Sequence, residues 1–154
     1  MLRGAKPLDV GKSLKEGQGC ACFNVRKTAR VITQLYDEVL RPTGMRITQF
    51  ALLMAAGGLG PVTVTRLAKM GAMDRTTLTR NLRPLEEQGL LHIEPGEDRR
   101  ERQVTLTPRG QRALATAFPL WKEAQARIVK GFGRERLQRL YAELADLRTI
   151  SRAR

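Results

Sequence analysis

One stretch limits what this chain can fold into: TVTRLAKMGAMDRTTLTRNLRPLEEQGLLHIEPGEDRRERQVTLT, from Thr63 to Thr107. Its first half has the spacing of two short helices separated by a tight turn. Val64, Leu67, Ala68 and Met70 take the apolar positions of the first helix, which Thr63 can cap and Gly71 stops. Asp74 can cap the second by accepting from its free N–H groups. Leu78, Leu82 and Leu85 then lie four and three apart, one buried stripe. The opposite side carries Thr76, Arg80 and Arg83, with Arg75, Thr77 and Thr79 on its flanks. Pro84 removes a donor and crowds the Arg80 carbonyl, so a kink is expected beyond these turns. A helix that shows water short hydroxyls and guanidiniums has the chemistry of a major-groove reader: arginine forks onto guanine, and threonine reaches a base edge or a thymine methyl.

Gly89 ends that helix, and Leu90-Leu91-His92-Ile93 and Gln103-Val104-Thr105-Leu106 read as two strands. EPGEDRRER between them is too rich in proline, glycine and charge for a sheet interior. Arg99, Arg100 and Arg102 fall on or near its tip, where arginine can enter a narrow minor groove. Seven basic and seven acidic residues cancel between positions 74 and 110, so Glu86, Glu87, Glu94, Glu97 and Asp98 must face away from DNA or orient its arginines. Asp98, two before Arg100, is placed to pair with it. Each half alone would favour a solvated helix or a charged hairpin without a partner; the two in this order favour DNA binding.

Asp98, Arg100, Leu106, Thr107 and Gly110 match D-x-R-x5-L-T-x-x-G, the wing signature of the MarR (multiple antibiotic resistance regulator) family, and DRTTLTRNLRPLEEQGLL resembles that family's recognition helix. The resemblance covers roughly residues 20–150. It implies a mainly α fold with a small β-wing, a winged helix-turn-helix carried by N- and C-terminal dimerisation helices. It further implies an obligate homodimer, a palindromic DNA operator, and release when a small ligand or an oxidant is sensed.

The net charge of +13 favours a polyanionic partner. The excess lies outside the reading segment: +4 over residues 1–45, +3 over 46–73 and +6 over 111–154. No secretory h-region and no bilayer-spanning apolar run is present, so a cytoplasmic address without membrane attachment is expected. Two cysteines one residue apart are no disulfide framework. One histidine, His92, and two cysteines are too few soft ligands for a dedicated metal site, and no cofactor motif is found.

Residues 1–18 hold four glycines or prolines and no apolar periodicity, and read as a flexible arm. Residues 19–154 then form one domain, with 46–110 as the winged helix-turn-helix and 19–45 and 111–154 as dimerisation helices. A helix is predicted from Cys20 to Leu40, ended by Arg41-Pro42. Its Cys22, Val25, Ala29, Ile32, Tyr36 and Val39 make a packing seam, and Arg26, Lys27 and Arg30 its wet side. Thr48 is the expected cap of a short helix through Ala56, with Phe50, Leu53 and Met54 inward, and Gly57 to Pro61 supply a turn. Pro108 opens a long helix with Leu114, Phe118, Trp121, Ile128 and Phe132 on its apolar face, broken at Gly131 and Gly133. A last helix, Arg134 to about Ile150, sets Leu137, Leu140, Leu144 and Leu147 in three-four alternation. With the first helix it is expected to build the dimer interface; an intramolecular pair is the alternative.

Two sensing chemistries fit. CFNVRKTARVITQLY resembles the N-terminal helix of organic-hydroperoxide-resistance regulators in the same family. Cys22 lies where their reactive cysteine lies, and Tyr36 matches one of the two tyrosines that bond it; Arg26 replaces the other, and an adjacent guanidinium can lower a thiol pKa. A disulfide with Cys20 is geometrically poor, because helical neighbours two apart point in nearly opposite directions. The alternative is that Cys22 is a small apolar filler of the seam, as free cysteines usually are. The second chemistry is a small aromatic or amphipathic ligand among Phe23, Tyr36, Phe118 and Trp121, with Arg26 or Arg30 meeting a carboxylate. The function expected is a sequence-specific repressor released by such a ligand, the alternatives being a peroxide-sensing repressor or an architectural DNA-binding protein. No nucleophile set or phosphate-cradling glycine loop points to an enzyme.

Overall fold

The computed structural model describes residues 9–96, 98 and 100–150. The chain divides into two compact units, Met1–Leu35 and Tyr36–Arg154, with the division inside the second helix. In the first unit a short helix α1 (Val10–Gly17) stands where the sequence showed no periodicity, and α2 (Ala21–Leu40) follows. The Asn24 side-chain amide ties the turn between them, donating to the Gln18 and Cys20 carbonyls at 2.8 and 3.0 Å.

The second unit takes the end of α2, a single 3-10 turn at Arg41–Thr43, then α3 (Ile47–Leu59), β1 (Val62–Thr63), α4 (Val64–Met70) and α5 (Arg75–Glu87). β2 (Leu91–Pro95), β3 (Arg102–Leu106), α6 (Pro108–Phe132) and α7 (Arg134–Ile150) complete it. The strands form one antiparallel sheet in the order β1-β3-β2. Leu91 pairs with Leu106 and Pro95 with Arg102 along the hairpin, while Val62 pairs with Val104 on the other edge of β3. β1 was not foreseen, since two residues are too short to show a period. Among the described residues no helix is long and apolar enough to cross a membrane.

The leucine stripe of α5 organises the core. Leu78, Leu82 and Leu85 are wholly buried and pack with Leu53, Leu67, Leu91 and Val104. Truncating any one to alanine costs about 2–5 kcal/mol. Trp121 of α6 stacks on both Phe50 of α3, at 5.8 Å between centroids, and Phe118, at 5.5 Å.

Several local expectations need correction. α3 begins at Ile47, one residue before the expected cap Thr48. Asp37 instead accepts from the Ile47 N–H at 2.7 Å, and the Gln49 side chain accepts from the Arg46 N–H at 3.0 Å. That helix also runs through Gly57 and Gly58, turning only at Gly60, whose φ is 68°. Met54 and Met70, expected inward, are exposed by 39% and 58%. Gly71 closes α4 with a right-handed backbone, and it is Ala72 that takes the left-handed conformation, φ 50°. α5 continues through Pro84 to Glu87, and α6 through Gly131 to end at Gly133.

Candidate nucleic-acid interface

Asp74 sets the start of α5. Its carboxylate accepts from the Thr77 N–H at 2.8 Å and the Thr77 hydroxyl at 2.6 Å. Those bonds, the hydroxyl's first, hold the Asp74 carboxyl below the usual carboxylate range. With the leucines turned inward, Arg75, Thr76, Thr79, Arg80 and Arg83 line one shallow hollow of about 430 Å³ on the solvent side of α5. The threonines differ in what they can offer. Thr77 donates to Asp74, and Thr79 donates to the Arg75 carbonyl at 2.8 Å, so each keeps lone pairs and a methyl but not a free proton. Thr76 is exposed, and its hydroxyl has no partner among the described residues. Arg83 pairs with Glu87 at 2.7 Å, a bond that raises the guanidinium's pKa. Arg75 and Arg80 have no such carboxylate among the described residues.

The hairpin is built differently from its expected form. Asp98 does not pair with the Arg100 guanidinium; its carboxylate accepts from the Arg100 backbone N–H at 2.9 Å. A bond two residues on is the ordinary habit of aspartate in a turn, and it fixes the tip while leaving the Arg100 side chain exposed. Arg99 lies outside the described residues. Arg102 is the first residue of β3, below the tip, and its guanidinium donates to the Ile93 carbonyl at 3.4 Å.

The base of the hairpin explains the L-T-x-x-G spacing. The Thr107 hydroxyl donates to the Gly89 carbonyl at 2.7 Å and accepts from the Gly110 N–H at 3.0 Å, while the Thr107 N–H donates to the Leu90 carbonyl at 3.2 Å. One threonine thus caps α6 and locks it to the exit of α5. Gly89 turns that exit with φ 68°.

α4 adds cations that the sequence reading passed over. Arg66 and Lys69 are exposed, three apart, opposite the buried Val64, Leu67 and Ala68. Their spacing was the available signal.

The proposed sensing residues are divided along the chain between the two units. Cys20 and Cys22 are free and exposed. Phe23, Arg26 and Arg30 are exposed on α2, in the first unit. Phe118 and Trp121 stack together and pack, partly buried, against the core. The Tyr36 hydroxyl donates to the Gln125 side chain, and burial, then neighbouring Tyr141, raise its pKa.

Two helices in this order, a face of hydroxyls and guanidiniums opposite a leucine stripe, and a hairpin locked behind them define a winged helix-turn-helix protein. Residues 43–101 match the MarR family. The structure of MosR, a transcriptional regulator of M. tuberculosis in complex with DNA, superposes with a TM-score of 0.77 at 38% identity, over 86% of this chain and 98% of that one. YwoH of Bacillus subtilis, an uncharacterized HTH-type transcriptional regulator, is 31% identical over 88 residues, 57% of this chain; the chain spans 64% of YwoH's length. CouR of Rhodococcus jostii, bound to p-coumaroyl-CoA, shares the fold with a TM-score of 0.71 at 19% identity, over 84% and 92% of the two chains. The chain belongs to the MarR family of transcriptional regulators, not to a family of enzymes.

Proposed function

We propose that two copies of this chain bind a palindromic operator, each laying α5 in the major groove and its wing against the neighbouring minor groove, and act as a repressor. The hollow lined by Arg75, Thr76, Thr79, Arg80 and Arg83 is the observation that carries this reading. Arg80 and Thr76 read bases, Arg75 meets phosphate or base, Thr77 meets a base edge through its methyl or a lone pair, and Arg100 enters the minor groove. Arg66 and Lys69 hold phosphate, as the first helix of such a motif crosses the backbone. The DNA-bound state of MosR supports the reading.

Support for the dimer comes from apolar side chains that one chain leaves uncovered: Phe23, Val25 and Val31 on α2, Tyr141 and Ile150 on α7. A two-fold pair sets the reading helices about 34–36 Å apart, one turn of duplex. Sedimentation of the purified protein with and without the operator, found by sequencing bound genomic fragments, tests both parts. A monomer, or binding indifferent to sequence that collapses with salt, refutes them and leaves an architectural role.

Release by a small amphipathic ligand is the effector mechanism proposed, in line with the acyl-CoA bound by CouR. Exposure of both thiols supports a second reading, in which the Cys22 thiolate is oxidised to sulfenic acid as a peroxide is reduced to alcohol. Peroxide-driven release from DNA by the wild type but not by Cys22→Ser selects it.

A further inference from the structure

Tyr36, in the part of α2 that belongs to the second unit, is buried, and its hydroxyl donates to the side-chain carbonyl of Gln125 in α6. The Gln125 amide donates in turn to the Tyr141 hydroxyl of α7 at 3.5 Å. One directed chain of side chains thus joins three helices. Burial, then Tyr141, raise the Tyr36 pKa, so the phenol stays protonated and keeps its place as donor.

The chain has a buried end and an open one, since Tyr141 is 52% exposed and is among the side chains left for a second copy. At its start α6 is locked to the exit of α5 by Thr107 and Gly110. Gln125 lies about 22 Å further along the helix. Between the two, Pro119 cannot donate to the Ala115 carbonyl, which leaves α6 easier to bend there. The direction of its far half is then set by contacts beyond Pro119. Apolar packing there is non-directional, whereas the two bonds of Gln125 are directional.

We infer that Tyr36 and Gln125 are positioning residues for operator recognition. With Tyr141 they fix the tilt of α6 against the partner-facing side of α7, and so the distance between the two reading helices of a dimer. This rests on the two-fold reading proposed above. In it neither residue touches DNA; what they set is the tolerance for half-site separation. Tyr36→Phe removes the donor and keeps the ring. Gln125→Leu removes both bonds, while the carboxylate of Gln125→Glu can still accept from both phenols.

Fluorescence anisotropy on duplexes with the natural half-site separation, one base pair less and one base pair more tests this, alongside sedimentation of each variant. Wild type should prefer the natural separation by about tenfold or more, as for one mismatched base pair. Tyr36→Phe and Gln125→Leu should remain dimers and bind all three duplexes within about threefold of one another, while Gln125→Glu keeps the preference. A variant that is merely less stable loses affinity for all three alike. A dimeric Tyr36→Phe as discriminating as wild type overturns the proposal, as does a Gln125→Glu variant that behaves like Gln125→Leu. Should Tyr36→Phe fail to fold, the two Gln125 variants decide. A wild type that is monomeric, or indifferent to separation, instead refutes the two-fold reading and this proposal with it.

Discussion

A side chain on Gly110 would bring its Cβ within 2.1 Å of the Leu90 carbonyl oxygen, the same oxygen that receives the Thr107 N–H. The start of α6 therefore sits directly on the backbone leaving α5, and nothing larger than hydrogen fits between. Gly110→Ala should destabilise the fold by about 1–3 kcal/mol in urea unfolding, because backbone rather than a flexible side chain must give way. A neutral effect would mean that α6 slides easily against the hairpin.

Arg80→Ala should cost about 1–3 kcal/mol of operator affinity and relax the preference at one base pair. Fluorescence anisotropy on operator and scrambled duplexes separates the possibilities. An equal loss on both would assign Arg80 to phosphate.

Asp98→Asn should preserve wing function, whereas Asp98→Ala should lose it, since either Asp or Asn can accept from the Arg100 N–H. The hydrogen bond is worth about 0.5–1.5 kcal/mol, read as weaker operator binding at unchanged global stability. An Asn variant as defective as the Ala variant would show that the charge, and so an ion pair, is what matters.

Ala72 carries a left-handed φ of 50° in the turn between α4 and α5. Ala72→Gly should be neutral or stabilising, and Ala72→Val should cost about 1–3 kcal/mol, because a β-branched residue resists that conformation. Thermal unfolding of the two variants decides, and a Gly variant less stable than the Val variant contradicts the assignment.

Asp74 has a folded pKa below its ordinary 3.8. Its cap therefore contributes to α5 above that value and is lost as pH falls through the lower, folded one. DNA binding should be insensitive to this group from neutrality down to about pH 5. A carboxyl ¹³C titration of Asp74 should give a midpoint under 3.8 that rises in Thr77→Val. A midpoint at or above 3.8 in the wild type would mean the cap is open in solution.

The helices from α2 onward and the hairpin were legible because their apolar periods are long and their stops are chemically distinct, whereas α1 shows no such period. Leu78, Leu82 and Leu85 announce α5, and Asp74 and Thr63 were readable as caps from position alone. What escaped depends on contacts distant in sequence. Asp37, ten residues upstream, takes the capping place that Thr48 seemed built for. Asp98 could be seen beside Arg100, but sequence cannot say whether a carboxylate meets a side chain or the backbone.

β3 is held along both edges, by β2 on one side and by Val62 and Thr63 on the other. The wing is thereby riveted at its root to the strand that leads straight into α4. In the proposed mode of binding, major- and minor-groove contacts would be set by one stiff gauge, so an operator whose flanking sequence is moved by a single base pair relative to its core should be poorly accommodated.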